Sequence, residues 1–337
     1  KSAVRGATAL SESTRGKVRG QTEVDAGRAG GRVALGMGKM GAGELNYSAD
    51  VDLICLFDET RFDPEDYHDA RSSIVRATRK MCAMLSDNTG EGYVFRTDLR
   101  LRPDPAVTPV CLAMEAAERY YESLGRTWER AAYIKARACS GDIRAGETFL
   151  KTLVPFVWRK HLDFAAIEDA HDMVRKIRDH KGLGGPITLP GHNMKLGRGG
   201  IREIEFFTQT RQIIAGGRDP DLRVRGTVPG LAVLTKKGWV PQDVTRTLTD
   251  HYRAHREVEH RVQMLRDAQT HDLPQSDDGF DRLAAFMGTD RASLQREIRD
   301  RLEEVHTLTE EFFGGDTAPA RRSDVPDELE NSEIVSR

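Results

Sequence analysis

Residues 32–57 read RVALGMGKMGAGELNYSADVDLICLF, and this stretch sets the architecture of the first part of the chain. It opens with the short apolar segment Val33–Leu35, passes through a glycine cluster and ends in the apolar run 51–57. A continuous apolar run of this length, rich in β-forming residues, is typical of a buried strand. The stretch therefore predicts two strands joined by a glycine-rich turn.

The glycine cluster 36–41 matches the dinucleotide-binding pattern GxGxxG, but its context argues against that function. A dinucleotide-binding unit needs a helix of about ten or more residues before the next strand. Only nine residues separate Gly41 from Val51, and among them Gly43, Asn46 and Ser48 are poor helix formers. The phosphate-loop pattern also fails, because no Lys-Ser/Thr pair follows a glycine at the required spacing.

Two aspartates at the start of the apolar run favour a different chemistry. Asp50 and Asp52 are two residues apart, so strand alternation points both carboxylates to one side. Neighbouring carboxylates repel unless a cation lies between them, and Mg²⁺ prefers such oxygen ligands. With Asp98 in the next strand-like segment, they predict a two-metal nucleotidyl-transfer site beside a glycine backbone open to phosphate. The alternative is that Asp50 caps a turn and Asp52 faces solvent from an edge strand.

Hydrophobic periodicity predicts an α+β chain: a mixed sheet with flanking helices, followed by an all-α helical bundle. Together with the aspartates, this makes the sheet nucleotidyltransferase-like. Around a third strand at 93–101, helices are expected at 64–87, 113–124 and 126–138. Further helices are expected at 145–160, 162–180, 200–215, 228–237, 242–268, 278–287 and 290–313. We therefore divide the chain into a poorly structured or helical lead-in (1–31), a nucleotidyltransferase-like domain (32–142), a helical bundle (143–315) and a polar tail (316–337).

Composition excludes several classes of protein. The 51 Lys+Arg and 53 Asp+Glu residues give a formal net charge of -2, so the basic excess of a nucleic-acid binder is missing. No apolar run reaches the roughly 18 residues of a membrane span, and no signal peptide opens the sequence. The four cysteines show no CxxC spacing and are expected to be buried free thiols of a cytoplasmic protein.

Several ordered motifs resemble the glutamine synthetase adenylyltransferase/adenylyl-removing enzymes, and the resemblance covers about residues 32–313. The motifs lie at Gly36–Leu53, Phe95–Pro103, Tyr120–Arg130, Ile134–Arg137, Gly197–Phe206 and Glu259–His271. The stretches 199–206 and 263–271 look like the N-terminal, adenylyl-removing half of that family. The missing initiator methionine and the polar tail suggest a fragment of a longer chain.

The resemblance implies more than spacing alone. Such enzymes are large and bifunctional: the N-terminal half removes AMP from a tyrosine of glutamine synthetase by phosphorolysis, giving ADP, and the C-terminal half adds AMP from ATP. The PII signal protein and glutamine regulate the balance of the two reactions, so that nitrogen assimilation is controlled. We therefore expect Mg²⁺-dependent adenylyl removal, with an ATP-dependent adenylyltransferase or a non-catalytic partner-binding module as the alternatives.

Candidate site residues follow from the motifs and the resemblance together. Asp50, Asp52 and Asp98 are expected to be catalytic and to hold Mg²⁺ between the phosphate groups. Residues expected to contact phosphate or nucleotide are Gly36, Gly38, Lys39, Gly41, Ser48, Arg100, Arg102 and Lys135. The alternatives carry no function: Asp98 forms an ion pair with Arg96 or Arg100, and the residues expected to contact phosphate or nucleotide lie exposed in turns or on helix surfaces.

A second acidic pair lies in the predicted bundle. Glu203 and Glu205 are two residues apart on a helix, so they point about 200° apart and at most one faces a site. The glycines Gly199 and Gly200 before that helix are expected to let its N-terminus approach an anion. Ion pairing within the bundle is the alternative for both glutamates.

Overall fold

The structure is a computed structural model that describes residues 31–160 and 185–313. Within these residues the chain forms two compact units. The first contains residues 31–45 and Ala49–Lys160, and the second contains Asn46–Ser48 and residues 185–313. The predicted lead-in, the predicted helix 162–180 and the predicted tail lie outside the described residues.

The first unit is an α+β domain built around five strands. The strands are β1 (Arg32–Gly36), β2 (Val51–Phe57), β3 (Thr97–Asp98), β4 (Cys111–Ala113) and β5 (Arg137–Gly141). The helices are α1 (Gly38–Ala42), α2 (Tyr67–Ser86), α3 (Met114–Ser123), α4 (Thr127–Ile134), α5 (Ile143–Thr152) and α6 (Val154–Val157). Short 3₁₀ turns at Glu59–Arg61 and Pro64–Asp66 lead into α2.

The sheet is mixed, as the sequence predicted. Its order is β3-β2-β1-β5, with β4 also pairing with β2. Strand β1 runs antiparallel to β2 and to β5, whereas β2 is parallel to β3 and to β4. The antiparallel β1–β2 pair supports the rejection of a dinucleotide site, because that site needs two parallel strands joined by a crossover helix. The one-turn helix α1 replaces that crossover.

Helix α2 covers one face of the sheet. Its buried residues Ala70, Ile74, Ala77 and Met81 recur at helical spacing and pack in one core with alternate residues of β2. Those β2 residues are Val51, Leu53, Cys55 and Phe57. Because side chains alternate along a strand, Asp52 lies on the sheet face opposite α2.

Two predicted elements in this unit have the wrong bounds, and one strand was not predicted. The strand predicted at 93–101 shrinks to β3, because the N–H groups of Val94 and Phe95 both donate to the carbonyl of Leu85 rather than to a strand. The helix predicted at 126–138 ends at Ile134, and the residues after it form β5. Strand β4 was missed altogether, since three residues give too short a pattern.

The boundary between the two units also differs from the predicted domain boundary, which lay between residues 142 and 143. Helix α5 belongs to the first unit, which extends to Lys160. It packs on the sheet through Gly146, where a Cβ would lie 2.6 Å from Val33 Cγ2 and 2.8 Å from Ala138 Cβ. The helical pattern after Asp142 therefore marks a helix of the α+β domain as well as the later bundle.

The cysteines are free, as expected. Cys55 and Cys111 are buried and are register partners on β2 and β4, whereas Cys82 and Cys139 are half-buried. Burial raises the pKa of the Cys111 thiol to about 12 and that of Cys55 well above its usual value. These thiols stay protonated at neutral pH and act as small core residues.

The second unit contains only helices among its described elements. They are α7 (Ile201–Gly216), α8 (Thr227–Lys236), α9 (Gln242–Arg266), α10 (Asp277–Phe286) and α11 (Arg291–Phe313), with a 3₁₀ turn at Pro220–Leu222. The predicted helices begin and end within two residues of these bounds. Two apolar clusters hold them together, one around Leu283, Ile298 and Leu302 and one around Ile204, Leu231 and Leu248. Among the helices of the described ranges, none has the length and apolarity needed to cross a membrane.

A buried carboxyl on α4 gives the first unit a pH-dependent stability. Glu129 Oε2 accepts a hydrogen bond from the backbone N–H of Arg126 at 2.7 Å and so caps the helix. Burial raises the pKa of Glu129 from 4.5 to about 7, and the N–H of Arg126 opposes this only in part. The folded state therefore binds this proton more tightly than the unfolded state does, and stability is lost as the pH rises from 4.5 to 7.

We expect Glu129→Gln to remove this pH dependence. Glutamine keeps the cap and cannot ionise, so above pH 7 the variant avoids a cost of about 3 kcal/mol that the wild type bears. Urea unfolding of both proteins at pH 5 and pH 8 measures the effect, with the exposed Glu122→Gln on α3 as the matched control. Parallel pH profiles for wild type and Glu129→Gln would contradict the prediction.

Candidate active site

Two of the predicted catalytic aspartates meet at one end of the sheet. Asp52 and Asp98 are register partners in the parallel pair of β2 and β3, so their side chains leave the sheet on the same face. Asp98 is buried and Asp52 is half-buried. A Cβ on Gly38 would lie 2.7 Å from Asp52 Oδ2. The backbone of residues 36–41, the glycine segment, therefore lies against this carboxylate. The backbone N–H of Met37 donates to Asp52 O at 2.9 Å and fixes that approach.

The third aspartate has an arginine partner. Asp50 is buried and its Oδ1 accepts a hydrogen bond from Arg96 Nε at 2.7 Å. Arg96 Nη1 in turn donates to the hydroxyl of Tyr93 at 2.6 Å, and the guanidinium lies 5.2 Å from the Tyr93 ring centroid. Arg96 therefore neutralises and orients Asp50. No catalytic or binding role was predicted for Arg96 from the sequence.

Asp98 also forms an ion pair, with Arg100. Arg100 Nη2 lies 2.6 Å from Asp98 Oδ2, and its Nε lies 3.1 Å from Oδ1. The backbone N–H of Arg100 donates to Oδ1 at 2.8 Å, so the loop and the charge pair hold one carboxylate geometry. This is the ion pair considered as the alternative for Asp98. It also brings Arg100 beside the two facing carboxylates.

The glycine segment is held by strand β5 and the end of α4. A Cβ on Gly41 would collide with the carbonyl oxygens of Lys135 and Gly36, so only glycine fits there. Arg137 pairs with Gly36 in the β1–β5 register. Its Nη2 donates to Met40 O at 2.9 Å and its Nε to Gly41 O at 3.2 Å, so one guanidinium satisfies two carbonyls of α1.

The other predicted contact residues have mixed placements. Lys135 is buried, and its Nζ lies 3.7 Å from Glu44 Oε2, close to the glycine segment. Lys39 is half-buried within α1. Ser48 has a φ of 52° and groups with the second unit. The guanidinium of Arg102 donates to the carbonyls of Leu99, Pro105 and Thr108, so it stabilises its own loop rather than presenting a phosphate clamp.

Residues 31–160 and 185–313 contain no group of three or more His, Cys, Asp or Glu side chains that could hold a metal ion. The convergence of three carboxylates that we expected is thus not assembled among them. Asp52 and Asp98 remain a pair of hard oxygen donors beside a bare backbone, which suits a divalent cation whose other ligands come from phosphate oxygens. Those two residues fit a metal that arrives with its substrate.

Both bundle glutamates are buried and paired within the second unit. Glu203 Oε2 accepts a hydrogen bond from Thr309 Oγ1 at 3.0 Å and lies 3.4 Å from His306 Nδ1. Glu205 Oε1 accepts from Arg256 Nη2 at 2.9 Å. The two side chains point to different helices, as the 200° separation predicts. The observed contacts are those of the alternative, ion pairing within the bundle.

Sequence reasoning missed two arginines that organise this site. Arg96 and Arg137 stand in the motifs 95–103 and 134–137, but neither position has a periodicity that predicts its partner. The available signal was indirect. A glycine turn exposes carbonyl oxygens, and an arginine on a neighbouring strand can satisfy two of them at once.

Comparison with known proteins gives two family matches. Residues 7–152 match the family model described as glutamate-ammonia ligase adenylyltransferase. Residues 170–313 match the family model described as GlnD PII-uridylyltransferase. The first match contains every strand of the sheet and both facing aspartates.

The most similar relatives include bifunctional glutamine synthetase adenylyltransferase/adenylyl-removing enzymes from three bacteria. The Agrobacterium fabrum enzyme is 49% identical over 304 residues, which is 90% of this chain and 30% of the relative. The Bradyrhizobium diazoefficiens enzyme is 51% identical over 85% of this chain and 29% of its own length. The Brucella melitensis enzyme is 54% identical over 77% of this chain and 26% of its own length. The chain thus spans less than a third of these relatives.

Proposed function

Since the chain belongs to the family of bifunctional glutamine synthetase adenylyltransferase/adenylyl-removing enzymes, we propose that it removes AMP from an adenylylated tyrosine of glutamine synthetase by phosphorolysis. The products are ADP and the unmodified protein. The observation that carries the proposal is the pair Asp52–Asp98 in register on β2 and β3, with the glycine segment against Asp52. This juxtaposition suits a phosphate diester flanked by carboxylates and open backbone.

The reaction places specific demands on the residues. An oxygen of inorganic phosphate attacks the phosphorus of the tyrosyl-AMP ester, the bond from phosphorus to the tyrosine oxygen breaks, and the tyrosine oxygen takes up a proton. Phosphate is already an anionic nucleophile, so no strong general base is needed. The main barrier is repulsion between two anions, and positive groups lower it. We assign this role to Arg100, which pairs with Asp98, and to Lys39, while Arg96 keeps Asp50 neutralised.

A divalent metal ion, Mg²⁺ in our proposal, would be held by Asp52 and Asp98. When bound, it would supply positive charge to the phosphate oxygens. The protein's own part is to hold the two carboxylates and keep Cβ atoms away from them at Gly38. Lys135 and the glycines Gly36 and Gly41 shape the neighbouring backbone for the nucleotide.

The protein partners follow from the family and belong to the same proposal. Glutamine synthetase is the substrate, since it stands in the names of the relatives. Regulation by the PII signal protein and glutamine, and action in the cytoplasm, stay predictions of the resemblance. So does the assignment of Ser48 to phosphate contact.

A two-way assay tests the direction of the reaction. The chain is incubated with adenylylated glutamine synthetase, Mg²⁺ and phosphate, and ADP is measured; a parallel reaction contains unmodified glutamine synthetase and ATP, and pyrophosphate is measured. We expect phosphate-dependent ADP release in the first reaction only. Pyrophosphate release in the second reaction alone would favour the adenylyltransferase, and binding without turnover in either would favour a partner-binding module.

Arg137→Gln tests how strongly kcat depends on a fixed position of the glycine segment. The change removes two hydrogen bonds to Met40 O and Gly41 O, so α1 loosens beside Asp52. A misplacement of about 1 Å can cost up to about 100-fold in rate, and we expect kcat to fall by about 10- to 100-fold. Added ethylguanidinium should restore part of kcat in Arg137→Ala. An unaltered kcat in both variants would show that the segment needs no such brace.

A further inference from the structure

Four exposed apolar side chains lie at the end of α2, and the proposed reaction does not use them. They are Met84 on α2 and Tyr93, Val94 and Phe95 in the segment before β3, and together we call them the apolar patch. Each is between 44% and 62% exposed. Apolar side chains that lie together and face water commonly mark the place where a protein binds a partner.

Backbone hydrogen bonds bring the two parts of the patch together. The N–H groups of Val94 and Phe95 both donate to the carbonyl oxygen of Leu85, at 3.0 and 2.9 Å. Both residues therefore lie against the last turn of α2, which contains Met84. The hydroxyl of Ser86 donates to Phe95 O at 3.3 Å in the same place. These bonds hold the apolar segment outside the sheet, where its side chains face solvent.

One end of the patch is joined to the candidate active site. The hydroxyl of Tyr93 accepts a hydrogen bond from Arg96 Nη1 at 2.6 Å, and Arg96 Nε donates to Asp50 Oδ1 at 2.7 Å. The backbone N–H of Val51, the first residue of β2, donates to Arg96 O at 2.8 Å. A polypeptide that places one side chain at the proposed reaction centre on β2 and β3 therefore has the patch beside it.

The charges next to the patch favour a polypeptide over a nucleotide. The turn 87–92 joins α2 to the apolar segment and reads DNTGEG, so it carries the exposed carboxylates of Asp87 and Glu91 and no cation. Two carboxylates repel the phosphates of a nucleotide and attract Lys or Arg side chains. An apolar centre with a polar rim is also the usual anatomy of an interface between proteins.

We propose that the apolar patch binds the polypeptide around the adenylylated tyrosine, through an apolar segment of the substrate protein that has Lys or Arg beside it. This inference rests on the proposed function, because it takes glutamine synthetase as the substrate, and it adds the surface that recognises that protein. Contacts at this surface are the same in the ground state and the transition state, so they lower KM without raising kcat. A small adenylylated tyrosine has no polypeptide to place there.

Kinetics with a large and a small substrate test the surface. The double variant Met84→Ser/Val94→Ser removes two exposed apolar side chains and leaves Tyr93 and Arg96 in place. For adenylylated glutamine synthetase we expect KM to rise at least about 10-fold, with kcat within about 2-fold of wild type. The kinetics with the AMP ester of N-acetyltyrosinamide should stay unchanged. The matched control is Leu124→Ser at the C-terminal end of α3, which is 67% exposed and should affect neither substrate.

The acidic turn gives an independent reading. Glu91→Lys reverses one exposed charge, so we expect KM for adenylylated glutamine synthetase to rise about 3- to 10-fold, and to rise less in about 0.5 M salt. Glu122→Lys, at another exposed carboxylate on α3, is the control for a charge reversal outside the patch. An unaltered KM in Glu91→Lys would contradict a partner segment that carries Lys or Arg.

Binding and self-association are measured on the same proteins, so that this inference and the proposed function fail separately. If wild type binds glutamine synthetase without turnover and the double variant binds it at least about 10-fold more weakly, the surface stands and the proposed reaction fails. An equal rise of KM for the small substrate would assign the patch to the nucleotide, and a wild-type dimer that the double variant breaks would assign it to a second copy of this chain. Either result would overturn the proposal, as would unchanged kinetics and binding in the double variant, or no binding of glutamine synthetase by wild type.

Discussion

Asp52→Asn is expected to lower kcat for ADP release by about 1000-fold or more while leaving the melting temperature close to that of wild type. Asp52 is half-buried, faces Asp98 across β2 and β3, and has Gly38 against its Oδ2. Asparagine preserves the shape but loses the charge that, in the proposed reaction, would hold a cation at the phosphate. Loss of a single charged group that acts in the transition state typically costs 100- to 1000-fold, and loss of a bound metal ion adds to that cost.

The measurement combines steady-state kinetics with thermal unfolding. Asp69→Asn is the matched control, since Asp69 is an exposed carboxylate on α2 in the same unit and should leave kcat unchanged. Asp98→Asn should lose activity too, but it also removes the ion partner of Arg100 and so reports on two interactions. If Asp52→Asn kept kcat within about 10-fold of wild type, the carboxylate pair would not be the reaction centre.

Much of this fold was predictable because its signals are local. The apolar run of β2, the long stripe of α9 and the turn chemistry around the glycines each set an element from neighbouring residues alone. The strands β4 and β5 and the shortness of β3 were not predictable in this way. Strand β5 contains Arg137, Ala138 and Ser140, which have no strong strand preference, and it forms because β1 offers an open edge.

In the candidate site, too, some features follow from local sequence and others do not. Alternation along β2 predicts that Asp52 is a site residue, and that role stays a prediction; the structure shows that Asp52 is the register partner of Asp98. What spacing could not give is which charges pair: Asp50 lies with Arg96, and Asp98 with Arg100. Each of these ion pairs depends on the conformation of a loop at the end of a strand. A sequence pattern carries no information on whether a carboxylate faces a metal or an arginine.

Gly199 illustrates how one sequence signal can have two physical causes. We expected Gly199 and Gly200 to open a helix N-terminus to an anion. Instead, a Cβ on Gly199 would collide with the backbone carbonyl of Leu302 on α11, so the glycine allows two segments of the second unit to approach closely. The carbonyl of Gly199 also accepts a hydrogen bond from Nε2 of the buried His255 at 3.1 Å.

Gly199→Ala is therefore expected to be among the most damaging single changes in the second unit. Gly199 has a φ of 69°, and Gly238, with a φ of 76° and open space around its α-carbon, is a matched control for the backbone term alone. Gly238→Ala should cost about 1–2 kcal/mol of unfolding free energy, because alanine tolerates positive φ poorly. Gly199→Ala adds a clash with backbone that no side-chain rotation relieves, and we expect a total above about 4 kcal/mol.

Urea unfolding followed by circular dichroism separates the two terms, provided that the m-value of each variant matches that of wild type. The difference between Gly199→Ala and Gly238→Ala measures the close packing of the 197–200 turn on α11, free of the φ penalty that both share. His255 supplies an independent reading. Burial lowers its pKa to about 3, so the folded state keeps it neutral, and a displaced turn would let it take up a proton near pH 6. Equal losses for the two alanine variants, with His255 still neutral at pH 6, would mean that the turn yields without cost and that the collision is not what requires glycine at position 199.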